Sequence, residues 1–253
     1  VIADAPVYWF DEIDSTNEEA RRAAQKGDFG PRWIAGKLQT AGRGRLGRQW
    51  ASPVGNLYVT ALFQEFDGIT HATRYPFAAG LAVIDACHAF VPETRIELKW
   101  PNDVRVAGQK ICGILVEAGQ SQGKAVWIGC GMGINVQSAP EAAGQAAISL
   151  NALGAPVGVD AGIFLDALRP AFAARCRQAK ADFSGLLRDW ETYAEGLGRQ
   201  ITVGKAAEAP TGTFAGLAPD GALLLEKADG TTQTIRAGDV ELVKEVDGDA
   251  ARN

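Results

Sequence analysis

Residues 42–50 read GRGRLGRQW, with Gly42, Gly44 and Gly47 alternating with Arg43, Arg45 and Arg48. Glycine lets the backbone bend sharply, and each guanidinium presents a planar fork of donors matched to phosphate or carboxylate. Three arginines this close repel one another unless something negative lies between them, and a bidentate, charge-assisted anion contact supplies that. Trp50 adds a flat face for a base or ring. The surroundings agree: between Phe29 and Gln64 the basic residues are Arg32, Lys37, Arg43, Arg45 and Arg48, and none is acidic. A solvated basic turn explains the charge but neither the glycine spacing nor the lack of acids. The segment is no Walker A loop, nor a GxGxxG opening a helix.

On either side, Trp33 to Leu38 and the alternating Asn56 to Phe63 read as strands, so the basic loop is mounted on a sheet. Upstream, IDSTNEEARRAAQKG reads as a loop feeding a helix. Ser15 or Thr16 caps it, Glu18 or Glu19 follows, and Gly27 stops it. Downstream, Phe77, Leu81, Ile84 and His88 recur at helical spacing over Thr73 to Phe90, with Pro76 acceptable in the first turn and His88 read as packing. IELKW, DVRV, the turn AGQK, ICGILVEA and VWIGCGMGINV then form short β-rich runs, giving a mostly antiparallel sheet. Asp160 to Tyr193 returns to helix, with breaks expected near Pro170 and at Asp182 to Gly185. After EGLGR, short strands punctuated by AlaPro, AspGly and GlyAsp turns suggest a small β barrel or meander. The divisions expected are 1–196, 197–246, and a frayed tail at 247–253.

With 253 residues, 47% hydrophobic and 22% charged, the chain has material for one large core and a small second unit. A net charge of -5 argues against general binding to nucleic acid. No apolar run approaches bilayer length and no signal pattern opens the chain, so the expected location is cytoplasmic, without membrane attachment. Cys87, Cys112, Cys130 and Cys176 form no CxxC pair and, with two histidines, no zinc pattern; they read as reduced core residues.

The nine-residue segment closely resembles the GRGRxGRxW signature of biotin protein ligases, without a departure. Asp14-Ser15-Thr16-Asn17 resembles that family's DSTN element, Gln39-Thr40 precedes the loop as expected, and Lys99 to Asp103 reproduces KWPND. Lys110 to Glu117 resembles KxxGxLxE, and Gly131 to Val136 resembles the GxGxN strand. The closing strands, entered through Trp190, Tyr193 and Gly198, are similar to an SH3-like C-terminal domain. The resemblance implies an α+β fold: a mixed, mostly antiparallel sheet flanked by helices, of class II synthetase type, with a small SH3-like β barrel.

It also implies roles. Biotin would be held by Ser15, Thr16, Asn17, Gln39, Gly42, Arg43, Gly44, Arg45, Lys110, Gly113, Gly131 and Gly133. ATP would be held by Arg43, Arg45, Arg48, Trp50, Lys99, Asn102 and Asn135, with Asn102 and Asp103 toward Mg2+. Read from residues alone, Ser15 and Thr16 suffice as a plain capping box, Lys110 as a turn lysine, and Asn102 and Asp103 as turn formers. Gly113, Gly131 and Gly133 weaken strands unless something approaches the backbone, either a flat ligand or a packed helix.

The implied reaction is ATP-dependent formation of biotinyl-5′-AMP, then transfer of biotin to a lysine of a biotin carboxyl carrier domain. Arg43 and Lys110 are the principal catalytic candidates, with Asp103 as a base for the acceptor amine. The glycine-rich loop is expected to order over the adenylate. The alternatives are a lipoate or octanoyl ligase or transferase of similar fold, and a non-enzymatic biotin-sensing module. A DNA-binding repressor is disfavoured by the acidic charge and by DSTN beginning at Asp14. The oligomeric expectation is a monomer or homodimer.

Overall fold

The computed structural model describes residues 2–140, 146–204, 206 and 208–243. The tail expected to fray, 247–253, lies outside them. Seven strands form the main sheet: β1 (Val7–Phe10), β2 (Arg32–Gly36), β3 (Leu57–Glu65), β4 (Glu97–Lys99), β5 (Asp103–Val106), β6 (Gln109–Gln120) and β7 (Val126–Ile134). Their order is β1-β2-β3-β7-β6-β5-β4, with β1 and β2 parallel and the other pairs antiparallel.

Strand alternation decides what each face does. Along β7, Val126, Ile128, Cys130, Met132 and Ile134 are buried in the main core, so Trp127, Gly129, Gly131 and Gly133 point the other way. Along β6, Cys112 and Ile114 share that core, leaving Gly113, Leu115 and Glu117 on the opposite face. Register sets Gly113 against Gly133, Leu115 against Gly131 and Glu117 against Gly129. One face is thus filled with branched side chains and the other is cleared by glycine.

The filled face is covered by α2 (Tyr75–His88), α3 (Ala161–Ala181) and α4 (Phe183–Thr192). Phe77, Leu81 and Ile84 are buried there, and His88 packs beside the loop with its Nε2 at 3.2 Å from the Thr94 carbonyl. Among the described helices α1 (Thr16–Gln25) packs on the cleared face, over a small core of Ile13, Ala20, Ala23, Ile34 and Leu62.

One expectation is corrected. Helix α3 runs through Pro170 unbroken. Proline removes one hydrogen bond, to the carbonyl of residue 166, but Asp166 and Pro170 are both exposed, so water can take that carbonyl. Phe164, Leu165, Leu168 and Phe172 on the buried side hold the helix together. The break at Asp182 is present: its carboxylate accepts from the Gly185 N–H and starts α4.

A second, five-stranded antiparallel sheet follows, with β8 (Gln200–Val203), β9 (Thr211–Leu217), β10 (Leu223–Glu226), β11 (Thr232–Ile235) and β12 (Val240–Leu242) in the order β11-β10-β9-β8-β12. Its Ile201, Phe214, Leu223, Leu225 and Val240 join the same core as the main sheet. The seam is specific: the indole N–H of Trp100 donates to the Gly221 carbonyl at 3.1 Å, and the Glu191 carboxylate accepts from the Leu217 N–H at 2.7 Å. These contacts bring β12 to the cleared face of the main sheet.

Candidate active site

A cavity of about 740 Å³ lies on the cleared face, a size suited to a cofactor-like ligand. Every site residue named from sequence lines it: Ser15, Thr16, Asn17, Gln39, Gly42, Arg43, Gly44, Arg45, Arg48, Trp50, Lys99, Asn102, Asp103, Lys110, Gly113, Gly131, Gly133 and Asn135. The glycines form its floor. A Cβ on Gly133 would stand 2.5 Å from the Trp50 indole nitrogen, and one on Gly131 would stand 1.9 Å from Asn17 Oδ1. At Gly131 the packed-helix reading is realised, by Asn17 of α1, while Gly113 and Gly133 are approached by the Trp50 indole, which neither reading named.

At one end, the start of α1 enters a chain of polar contacts. Gln39 Oε1 accepts the Thr16 N–H at 2.9 Å, and Gln39 Nε2 donates to Ser52 Oγ at 3.0 Å. The Thr60 hydroxyl lies 2.9 Å from Thr16 Oγ1 and 2.7 Å from Asn17 Oδ1. Ser15, Thr16 and Asn17 are all buried, yet Ser15 makes no side-chain cap to its helix. The capping-box reading of Ser15 is therefore corrected: Gln39 supplies the acceptor.

The loop of residues 42–50 is a small hairpin. Gly44 N–H donates to the Arg48 carbonyl at 2.7 Å and Trp50 N–H to that of Gly42 at 2.9 Å, with a 3-10 turn at Arg45–Gly47. Leu46 sits at the tip with φ 55 and is 79% exposed. The cation cradle is neutralised pair by pair. Arg43 faces Glu18 at 3.0 Å and Glu117 at 3.2 Å. Arg48 pairs with Asp239, which also lies 3.9 Å from Arg45. Lys99 pairs with Glu241 at 3.3 Å and Lys110 with Asp103 at 2.7 Å. A polyanion entering this cavity exchanges carboxylates for its own charges.

Each pairing leaves its mark. Burial pushes the Asp239 carboxyl up, but the hydrogen bond from Arg48 and the charges of Arg48, Arg45 and Lys99 carry it below the usual carboxylate range. The hydrogen bond from Arg21 leads in lowering Glu18, and burial raises Tyr58, on the cavity wall, to about 12.

Lys110 is fixed on both sides. Its backbone bonds Ala146 and Ile148, and its ammonium lies 5.1 Å from the centre of the Trp50 ring. Asn135 Nδ2 donates to the carbonyls of Lys110 and Ile148, both at 3.2 Å, so its donors hold that segment and any nucleotide contact falls to Oδ1. Asn102 Oδ1 accepts from Arg45 at 2.9 Å, making it an orienter of that arginine.

Sequence reasoning missed Asp239 and Glu241, which line the cavity from the second sheet, and Glu117. Nothing in a GlyAsp turn near residue 239 points to a partner at Arg48. For Glu117 the signal was present, as the last letter of KxxGxLxE.

Among the described residues, one group outside the cavity has metal-ligand spacing: Glu65, Asp67 and His71. Lys180 already sets its ammonium 3.2 Å from Glu65, and Tyr75 donates to the same carboxylate. All four cysteines are free thiols, with burial raising Cys87 to about 12 and pushing the other three up as well. No described helix is long and apolar enough to cross a membrane.

Comparison with known proteins agrees with this geometry. Residues 9–135 match the profile of the biotin/lipoate A/B protein ligase family, and residues 196–243 match that of the biotin protein ligase C terminal domain. The chain is 37% identical over 239 residues to a biotin–[acetyl-CoA-carboxylase] ligase of Paracoccus denitrificans, covering 90% of this chain and 96% of that one. It is 34% identical to the enzyme of that name from Mycobacterium tuberculosis, covering 90% and 86%. Among solved structures, a biotin protein ligase of Aquifex aeolicus in complex with biotin and ATP superposes with a TM-score of 0.75 at 27% identity, over 95% of this chain and 99% of the other.

Proposed function

The chain belongs to the biotin/lipoate A/B protein ligase family, and on that premise we propose that it is an ATP-dependent biotin protein ligase, forming biotinyl-5′-AMP and passing biotin to a lysine of a biotin carboxyl carrier domain. The observation that carries this reading is convergence. One cavity holds the buried start of α1, the arginine hairpin, Lys110 and a sheet face cleared by glycine.

The ureido head of biotin is a neutral donor and acceptor pair. It fits the α1 end, where Ser15 and Thr16 offer hydroxyls and Asn17 the second lone pair of its amide oxygen. The ring and chain then run along the cleared face beside Trp50, whose indole rests on Gly113 and Gly133. This points the carboxylate toward Lys110 and Arg43, whose charges offset repulsion between it and the α-phosphate. A carboxylate oxygen attacks the α-phosphorus, the bond to the bridging oxygen breaks, and pyrophosphate leaves. Arg45, Arg48 and Lys99 receive the nucleotide, releasing Asp239 and Glu241 as they do.

In the second step the acceptor amine attacks the acyl carbon and AMP leaves. Asp103 is the candidate to take the amine's proton, its Oδ1 being tied to Lys110. Asp103 also offers a hard oxygen for magnesium, whereas Asn102 Oδ1 is held by Arg45. This donor set suits a magnesium carried by the phosphates better than a cage built by protein. Four free thiols fit a reducing, cytoplasmic location.

The test is ATP/pyrophosphate exchange with biotin, lipoate, octanoate or no acid, followed by addition of a carrier domain. Biotin-dependent exchange and biotin transfer are expected. Exchange driven by lipoate or octanoate instead, or biotin binding without pyrophosphate release, overturns the reading.

A further inference from the structure

We propose that Glu117 is a positioning residue that sets Arg43 at the cavity mouth and couples it to the biotin end; this rests on the function proposed above. Glu117 stands on β6 opposite Gly129, so no side chain across the strand pair competes for its space. Its two oxygens are divided. Oε2 accepts from Asn17 Nδ2 at 2.9 Å, and Oε1 faces an Arg43 guanidinium nitrogen at 3.2 Å. Asn17 is committed in turn: it donates to the Leu115 carbonyl at 3.1 Å and accepts from Thr60 at 2.7 Å.

Arg43 has a rival partner. Glu18 Oε2 lies 3.0 Å from its other terminal nitrogen, on the side of an outer pocket lined by Asp14, Glu18 and Arg21. Arg43 is 45% exposed, and among the described residues these two carboxylates are what its head pairs with. With Glu117 present, the guanidinium is held between them, beside the cavity. Neutralising Glu117 leaves Glu18 to draw it outward, away from the phosphate it must contact. The base of the hairpin is anchored separately, through Gln39, Ser52 and the Trp50 carbonyl. Glu117 therefore acts on the Arg43 side chain without unseating Trp50.

The test is retention of biotinyl-AMP made in situ, followed by its release from wild type, Glu117→Gln, Glu18→Gln, Arg43→Ala and the Glu117→Gln/Arg43→Ala double variant. Glutamine still accepts from Asn17 but loses its charge. Release is expected to quicken about tenfold, while half-saturating biotin moves by less than about threefold. Glu18→Gln, which removes the outward rival, is expected to slow release. In the Arg43→Ala background Glu117→Gln adds nothing, because its effect runs through Arg43. Wild-type retention in Glu117→Gln, or multiplied effects in the double variant, overturns the proposal. If Glu117→Gln fails to fold, Glu117→Asp is used; it keeps the charge with shorter reach, and release between wild type and Arg43→Ala is expected, wild-type release being the contrary result. A wild-type protein that makes no adenylate defeats the functional reading itself, a distinct result.

Discussion

Gln39 Oε1 accepts the backbone N–H of Thr16 at 2.9 Å, so α1 is capped by a residue 23 positions along the chain and not by its own Ser15. Removing a serine that caps a helix typically costs about 1 kcal/mol. Ser15→Ala should cost less than about 0.5 kcal/mol, because no capping bond is lost, yet raise half-saturating biotin roughly tenfold if its hydroxyl serves the ligand. Gln39→Ala should lose both stability and binding. Thermal melts and biotin titrations separate the two; a full cap's loss in Ser15→Ala with unchanged binding reverses the assignment.

Two glycines on one face of β7 differ sharply in what they tolerate. A Cβ on Gly131 would stand 1.9 Å from Asn17 Oδ1, whereas one on Gly129 meets nothing closer than 3.4 Å. Gly131→Ala must displace Asn17 from Thr60, Leu115 and Glu117, costing about 1–3 kcal/mol and more than about tenfold in biotin affinity. Gly129→Ala should leave both within about 0.5 kcal/mol. Calorimetry and biotin binding on the pair decide it, and equal effects would refute the steric argument.

That contrast shows how much of the site was legible in the sequence. VWIGCGMGINV carries its reading in period two: every second residue fills the core and the glycines between clear the other face. Local patterning also located the basic loop and every strand of the main sheet except β1, since turn residues and alternation act over a few positions, whereas Val7–Phe10 is set by its parallel pairing with β2. What failed were long-range substitutions for local partners. Gln39 replaces Ser15 as the cap, Asp239 answers Arg48 across 191 positions, and tertiary burial on one side of α3 carries it through Pro170. No local pattern encodes such partners, because they exist only once segments distant in sequence have packed together.

The hairpin of residues 42–50 is closed by its Gly44–Arg48 and Gly42–Trp50 bonds, while Arg43 and Arg48 pair with carboxylates and Arg45 donates to Asn102. Trypsin should cut after Arg43, Arg45 or Arg48 in the empty protein, and several-fold more slowly once biotin and ATP have reacted, as phosphates draw those side chains inward. Arg43→Gly should abolish part of that protection and release biotinyl-AMP to solution, read as biotin on bystander amines. Equal cleavage in both states would end the lid idea.

Lys110 should not be replaceable by arginine. Its Nζ lies 2.7 Å from Asp103 Oδ1 and 5.1 Å from the Trp50 ring centre, and the Cβ position of Gly113 is 3.2 Å from it. A guanidinium is wider and planar, and in this gap it would press on Trp50. Lys110→Arg should therefore lose about a hundredfold or more in biotin-dependent pyrophosphate exchange, close to Lys110→Met. An arginine variant retaining half the wild-type rate would show that charge alone, not compact charge, is required.

Away from the cavity, Glu65 makes stability depend on pH. Its carboxylate is buried at the other end of β3, taking a hydrogen bond from Tyr75, the Asp67 N–H at 2.9 Å and the Lys180 ammonium at 3.2 Å. Burial pushes its pKa up, but these three partners overcome burial and hold it below the ordinary 4.5. A group lowered on folding stabilises the native state above its unfolded pKa, and that contribution drains away as pH falls through the folded value. Glu65→Gln should thus be less stable than wild type by about 1–3 kcal/mol at pH 7, since a charged acceptor is lost. The gap should narrow as pH falls below 4.5, because protonation makes the wild-type carboxyl resemble the amide. Melting temperatures of both proteins from pH 7 to pH 3 test this; a gap that is constant, or widens toward acid, would mean that the charge of Glu65 does not carry the effect.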